Sequence, residues 1–407
     1  MQQNYQNAMA ICCKYGKPDL FITFTCNPKW KEIKNNLTNG ERAENRPDLT
    51  SRVFQLKLKE LIKDITDHQI FGHVIAYCIS IEFQKRGLPH AHILVILSSE
   101  CKIRDRAEID QIISAEIPDK TVNPILFKIV TETMVHGPCG KGLDNQSVCM
   151  ENGKCTKEFP KPFQRETIEN NGGYPRYMRR DNEVFIEKNN VKLDNRWIVP
   201  YNPYLTVKFQ AHINVELCST ISSIKYIYKY IYKGYDCGGV QVENNNNNKR
   251  YDEINNYLNV RYVSSNEAIW RLFEFKMYYM SHTVYRLAIH LPFNQPVYFK
   301  PGDEENAIRR ASESDTTLTA WFKLNSSDNN ASKYYYKEIP NYYTFTKKEW
   351  KLRERSADSV IGRIYHVSPK EIERFCLRLL LLHVKGAQTR CIARILMRMI
   401  APTALNF

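Results

Sequence analysis

No stretch of eighteen consecutive apolar residues occurs in the sequence, so no membrane-spanning helix is expected. Met1-Gln2-Gln3-Asn4-Tyr5 lacks the basic-then-apolar pattern of a signal peptide, so no secretory leader is expected. No G-x-x-x-x-G-K-[ST] phosphate loop is present, which removes ATP hydrolysis from the expected activities. No unit recurs along the chain, so a solenoid or propeller is excluded. The twelve cysteines form no C-x-x-C pair and are scattered along a long chain without a leader. That usage argues for reduced thiols with room for one metal site, not a disulfide framework, and for an intracellular compartment.

What the chain does have is positive charge. A formal net charge of +14 over 407 residues, with a pI near 9.1, points to an anionic partner, nucleic acid being the commonest. The plainer alternative is a basic surface that only maintains solubility. Hydrophobic content of 43% and charged content of 25% are those of a folded protein, and the length suits two or three domains.

Asp19 to Cys26 reads as a strand ended by Asn27-Pro28. From about Leu49 to Asp67 the apolar residues recur at helical period. The runs His73–Gln84 and His90–Leu97, separated by Lys85-Arg86-Gly87-Leu88-Pro89, predict a hairpin of two inner strands, since both faces are apolar. Val135 to Phe163 turns to glycine, cysteine, proline and lysine and is expected to be irregular. Arg176 to Arg180 forms a basic patch, Val199 to Tyr204 a rigid turn, and Leu217 to Gly234 a helix. Asn244–Asn248 reads as a loop tip, and residues 250–300 mix helix and strand signals. Glu371–Val384 is an apolar helix followed by Arg390, Arg394 and Arg398 at helical spacing.

Three constellations carry chemistry. In the first, His90 and His92 lie two apart on a strand, so both imidazoles share a face and can reach one cation. Mixed nitrogen and oxygen ligands suit Mn²⁺ or Mg²⁺, which would act as a Lewis acid on a phosphate. Glu82 and Gln84 on the partner strand share that face only if the hairpin loop is odd in length. A three-residue loop sets Glu82 opposite His90; a five-residue loop sets Glu82 opposite His92 and Gln84 opposite His90; a four-residue loop removes both. Coincidence is the competing explanation of a lone His-x-His, weakened here by Glu82, Gln84, Lys85 and Arg86 on an inner hairpin.

The second constellation is Lys225-Tyr226-Ile227-Tyr228-Lys229-Tyr230-Ile231-Tyr232-Lys233-Gly234. Tyr226 and Tyr230 stack on one helical face, Tyr228 and Tyr232 on another. A tyrosine hydroxyl can attack a phosphodiester to give a covalent link, with lysines holding the phosphates. An amphipathic helix with a half-polar tyrosine core fits as well, and period two also permits a strand. The third is His136-x-x-Cys139 with Cys149 and Cys155, a Cys₃His set for a structural zinc, with Gly137, Pro138, Gly140, Gly142 and Gly153 suited to tight ligand loops. Unliganded cysteines explain the same residues equally well.

Together these residues resemble the replication-initiator endonuclease region of Helitron transposases, within the HUH nuclease superfamily. The resemblance lies in Phe21-Ile22-Thr23-Phe24-Thr25-Cys26-Asn27-Pro28, Ile81 to Leu94 including Pro89-His90-Ala91-His92, and His136-Gly137-Pro138-Cys139. It continues in Val199 to Pro203, His212-Ile213-Asn214-Val215-Glu216, Lys225 to Gly234, Trp270-Arg271 and His290-Leu291-Pro292, to about Ala387. It implies a site-specific endonuclease and strand transferase of a rolling-circle transposon, acting on single-stranded DNA at transposon ends and target. One tyrosine would nick and retain the 5′ phosphate, and a second would attack another strand. The family pattern Lys-Tyr-x-x-Lys-Tyr-x-x-Lys-Gly falls on Tyr226 and Tyr230, with Lys229 beside them.

The expected fold is α+β: a central antiparallel sheet of HUH-nuclease type with flanking helices, a small zinc-binding insertion and a mostly helical C-terminal region. Residues 1–134 and 166–240 would form the endonuclease core, 135–165 the insertion and 241–407 an accessory region. Expected metal ligands are His90, His92, Glu82 and Gln84; Lys85, Arg86, Arg176, Arg179, Arg180, Lys225 and Lys233 are expected to bind DNA. Family members continue into a helicase, which is expected to be absent from a chain stopping at Phe407, and the similarity fades after Gln388. A eukaryotic nucleus is the implied location. A DNA-binding remnant without activity is the alternative.

Overall fold

The computed structural model describes residues 2–83, 87–140, 147, 149–168, 175–188, 190–218, 237–241, 257–261, 263–292, 294–297, 299, 302–354 and 359–388. Two compact units emerge: residues 1–8 with 12–280, and residues 9–11 with 281–407.

In the first unit the chain runs α1 (Gln2–Tyr15), β1 (Leu20–Thr25), α2 (Lys31–Lys34), α3 (Pro47–Thr66), β2 (Val74–Phe83), β3 (Pro89–Leu97), α4 (Arg106–Ile112) and α5 (Pro124–Thr133). The short hairpins β4 (Met150–Glu151)–β5 (Lys154–Cys155) and β6 (Ile186–Lys188)–β7 (Val191–Leu193) follow. Then come α6 (Pro203–Phe209), β8 (Ile213–Leu217), the pair β9 (Cys237–Gln241) and β10 (Tyr257–Arg261), α7 (Ser265–Leu272) and β11 (Tyr278–Met280). Five of these strands make one sheet in the order β11-β2-β3-β1-β8, antiparallel at each junction.

The sheet has two unlike faces because its strands alternate with period two. Leu20, Ile22 and Phe24 of β1, Ala91, Ile93, Val95 and Leu97 of β3, Ile79 and Ile81 of β2, and Ile213, Val215 and Leu217 of β8 are buried in one cluster with Val53, Phe54, Leu58, Leu61 and Ile65 of α3. Those α3 residues recur every three or four positions, which puts them on one helical stripe. Pro47 opens the helix at its first turn, where its missing N–H costs nothing. On the other face the in-register row Thr25–His90–Glu82 is followed by Asn214–Thr23–His92–Ser80. A polar row across the middle of a sheet is uncommon, which makes this face a candidate site.

Three expectations change. Val199–Tyr204 is not only a turn: Pro203 begins α6, and Asn202 caps it by accepting from the Leu205 N–H at 3.0 Å. Edge strand β11 comes from beyond residue 240, so the sheet is completed by a segment expected to be accessory. Leu217, expected to open a helix, instead ends β8; the rest of that expected helix, residues 219–234, lies outside the described residues.

The second unit comprises β12 (Thr283–Leu287), α8 (Glu304–Ser312), α9 (Thr317–Ser327), α10 (Ile339–Tyr342), β13 (Tyr343–Thr346), β14 (Glu349–Leu352), β15 (Val360–Ile364) and α11 (Ile372–His383). Its core gathers Leu318, Trp321, Tyr336, Ile339, Tyr343 and Leu377. Besides its helices it holds a parallel β12–β15 pair and an antiparallel β13–β14 pair, so it is more mixed than the helical region expected. Among the described residues no helix is long and apolar enough to cross a membrane.

Candidate catalytic face and metal centre

The register places Glu82 opposite His90, the first of the two odd-loop arrangements. His92 Nε2 nevertheless lies 3.7 Å from Glu82 Oε2, so Glu82 reaches diagonally to the second histidine. The imidazoles meet edge to face with ring centroids 4.5 Å apart, and Phe21 stacks on His92 at 5.6 Å. Each ring is held through Nδ1 by a β1 threonine: Thr25 Oγ1 lies 2.7 Å from His90 Nδ1 and Thr23 Oγ1 3.3 Å from His92 Nδ1. Where the threonine oxygen accepts from Nδ1–H, the lone pair of the neutral imidazole resides on Nε2, the nitrogen that His92 turns toward Glu82.

The threonines were not singled out from sequence. Their signal is the alternation Phe21-Ile22-Thr23-Phe24-Thr25, which places two hydroxyls on the face of the histidines once β1 and β3 are paired. Gln84, Lys85 and Arg86, and all of Lys225, Tyr226, Lys229, Tyr230 and Lys233, lie outside the described residues.

A second site lies in the cysteine-rich segment. One ligand atom each from His136, Cys139, Cys149 and Cys155 falls within 4.8 Å of the others, the one such gathering of three or more His, Cys, Asp or Glu among the described residues. Cys155 Sγ approaches His136 Nε2 at 3.3 Å. Tetrahedral zinc with Zn–S of about 2.3 Å holds its sulfurs roughly 3.8 Å apart, so a slight contraction closes the set. The loops are built for this. Asn152 and Gly153 both have positive φ, 51° and 75°, as a type I′ turn between β4 and β5 requires; that hairpin brings Cys149 next to Cys155. At Gly137, φ is +96° and an added Cβ would stand 2.8 Å from the Trp197 ring.

Cys139 packs in a small core with Leu193 and Trp197, flanked by Phe159 and Ile186. The module therefore has apolar material of its own, drawn from beyond residue 165. Burial, with Lys157, His212 and Lys161 nearby, lowers the His136 pKa to about 4, which keeps it neutral, the state that binds metal. Burial pushes the Cys139 thiol up to about 12. Burial also acts to raise Cys155, but the Phe159 and Lys157 N–H groups and the neighbouring thiols hold it below the usual thiol value. A cation would supply the charge that deprotonates all three.

Residues 1–95 match the family model for the Helitron helicase-like domain at the N-terminus. The chain is Helitron-related. No curated protein matches it significantly. The Helitron match takes in β1, α3, β2 and most of β3, and with them Thr23, Thr25, Glu82, His90 and His92; the Cys₃His set lies outside it.

The basic patch at 176–180 needs correction. Arg179 is 4% exposed. Its Nη1 donates to the carbonyls of Ala115, Asn195 and Ile198 at 3.1, 2.6 and 2.7 Å, so it pins three backbone segments and has no reach toward DNA. Burial lowers its pKa to about 10. Arg180 makes a two-pronged ion pair with Glu116 at 3.0 and 2.6 Å. Arg176 alone of the three stays exposed without an ion pair among the described residues, its backbone bridging to Ile168. Consecutive arginines read alike in sequence; the carbonyls and the carboxylate that engage them come from distant segments.

Proposed function

We propose that the chain is a site-specific, metal-dependent endonuclease and strand transferase for single-stranded DNA, belonging to a rolling-circle transposon and working in the nucleus of a eukaryotic host. The observation that carries the reading is the row Thr25–His90–Glu82 beside Thr23–His92 on the polar face of an antiparallel sheet.

His90, His92 and Glu82 would hold a divalent cation, Mn²⁺ or Mg²⁺, with Gln84 as a further ligand. Two imidazoles and a carboxylate offer the nitrogen and oxygen donors such an ion accepts, and a bound cation would polarise a phosphodiester oxygen. Thr23 and Thr25 would fix the imidazoles in the ligand tautomer. Tyr226 or Tyr230 supplies the nucleophile. Its phenolic oxygen forms a bond to phosphorus as the P–O3′ bond breaks; the 3′ oxygen departs and takes up a proton. The 5′ phosphate stays on the tyrosine, and the other tyrosine can repeat the step on a second strand. Lys229, Lys225, Lys233, Lys85 and Arg86 would carry phosphate charge. The Cys₃His set would hold a structural zinc that orders its module.

Incubation with single-stranded DNA and Mn²⁺ or Mg²⁺ should yield a covalent adduct on a denaturing gel. His90→Ala should abolish it with salt-dependent DNA binding intact, and Tyr226→Phe with Tyr230→Phe should abolish it as a pair. Intact protein that binds DNA and never forms adduct would be a binding protein without cutting activity. Full adduct formation by the double tyrosine variant would move the nucleophile elsewhere.

A further inference from the structure

The C-terminal unit holds a cationic cluster that none of the catalytic residues explains. On the parallel β12–β15 pair, Arg286 and Arg363 stand directly in register. Like charges side by side on neighbouring strands are destabilising, and burial together with Arg286 holds the Arg363 guanidinium below its usual pKa. Both arginines address Tyr365: Arg286 Nη1 lies 3.5 Å from its phenolic oxygen, and the Arg363 guanidinium carbon sits 5.4 Å from its ring centroid. A third arrives from α11, where Arg378 Nε donates to the Tyr365 carbonyl at 3.0 Å. Among the described residues neither Arg286 nor Arg378 forms an ion pair with a carboxylate, unlike Arg271, Arg310 and Arg374. Tyr365 is 38% exposed and Arg286 is exposed, so the cluster is open to a ligand.

We infer that Arg286, Arg363, Arg378 and Tyr365 form a phosphodiester-binding site for single-stranded DNA on the C-terminal unit. A phosphate between the Arg286 and Arg363 guanidiniums turns their mutual repulsion into attraction, Arg378 adds a cation at the Tyr365 backbone, and planar arginine forks suit phosphate oxygens. The tyrosine hydroxyl supplies a further donor. The inference rests on the proposed nuclease reading only for the identity of the anion as DNA.

The test uses the full chain and a fluorescein-labelled single-stranded oligonucleotide, followed by anisotropy across a salt series. The double variant Arg286→Ala with Arg378→Ala should bind roughly tenfold more weakly. Its slope of log K against log salt should be shallower by about 1.4, two phosphate contacts at about 0.7 each. The exposed pair Lys351→Ala with Lys370→Ala removes the same charge from the same unit and should leave both readouts near wild type; thermal melts verify that every variant is folded. Wild-type affinity and slope in the arginine variant, or an equal loss in the lysine control, would overturn the site. Adduct formation is scored separately. Intact protein that forms no adduct but loses binding through the arginine pair removes the nuclease reading and leaves this site standing.

Discussion

At the residue scale the site turns on how two imidazoles are held. His90 and His92 were legible because His-x-His on an apolar strand is chemically conspicuous. Thr23 and Thr25 were not, because a threonine in a strand is ordinary until its cross-strand neighbour is known. Their contacts lead to a sharp expectation. Thr25→Val keeps the shape and removes the hydroxyl at His90 Nδ1. Loss of such an outer partner commonly costs ~10–100-fold in metal affinity or activity. The Mn²⁺ concentration giving half-maximal adduct should rise by that order with the melting temperature nearly unchanged; an unaltered metal requirement would reduce the contact to packing. Glu216 gives a second expectation. Burial raises its pKa, against Asn214 and the cations Lys161, Lys157 and Arg179, which lower it. A carboxyl whose folded pKa is raised binds more protons folded than unfolded. It therefore weakens the fold above its unfolded value, near 4.5, and the penalty disappears below that value. Glu216→Gln should raise the melting temperature at pH 7 and lose that advantage by pH 4; a variant equally stabilised at both would show that the carboxylate's charge is not the cause.

At the element scale, legibility followed periodicity. β1, the β2–β3 hairpin and α3 declare themselves because Leu20, Ile22 and Phe24 alternate and Val53, Phe54, Leu58 and Leu61 recur at helical spacing. β11 is three residues, Tyr278–Met280, too short to show a period, and only pairing with β2 makes it a strand. α6 could have been found: Asn202-Pro203 is a cap followed by a first-turn proline. The Cys₃His cluster was legible in its four residues but not in the extent of its module, since Leu193 and Trp197 join its core from later in the chain. With the proposed zinc on these four residues, chelation should therefore loosen one element and spare the sheet. Hydrogen exchange across 135–165 and at Trp197 should accelerate at least roughly tenfold on zinc removal, with β1 to β3 still protected. Gly137→Ala should weaken zinc binding in the same module, because the new methyl meets Trp197 and the backbone sits at positive φ. Zinc affinity equal to wild type in that variant, measured by competition with a chromogenic chelator, would mean the loop has room that its geometry denies.

At the scale of the whole molecule the question is which cations of a +14 chain would face the proposed DNA partner. Sequence cannot say, because a guanidinium looks the same whether it meets water, a carboxylate or a carbonyl. Arg179 and Arg286 are the two extremes. Arg179 is interior and occupied by three carbonyls. Arg286 is exposed, its guanidinium hydrogen-bonds among the described residues to the Tyr365 hydroxyl, and Arg363 stands beside it in register. Arg179→Ala leaves the buried Ala115 and Ile198 carbonyls without their Arg179 donor, while the Asn195 carbonyl keeps the Ile198 N–H; the loss is roughly 2–4 kcal/mol by the cost of leaving buried polar groups unsatisfied. Melting should fall by several degrees. At a temperature where the variant is still folded, its affinity for single-stranded DNA and its salt slope should match wild type, since no phosphate contact has been removed. The arginine pair on the C-terminal unit should do the reverse, leaving the melt in place and flattening the slope. A shallower slope in folded Arg179→Ala protein would mean that the buried arginine shapes the DNA-binding surface after all, and that burial alone does not separate structural cations from binding ones in this fold.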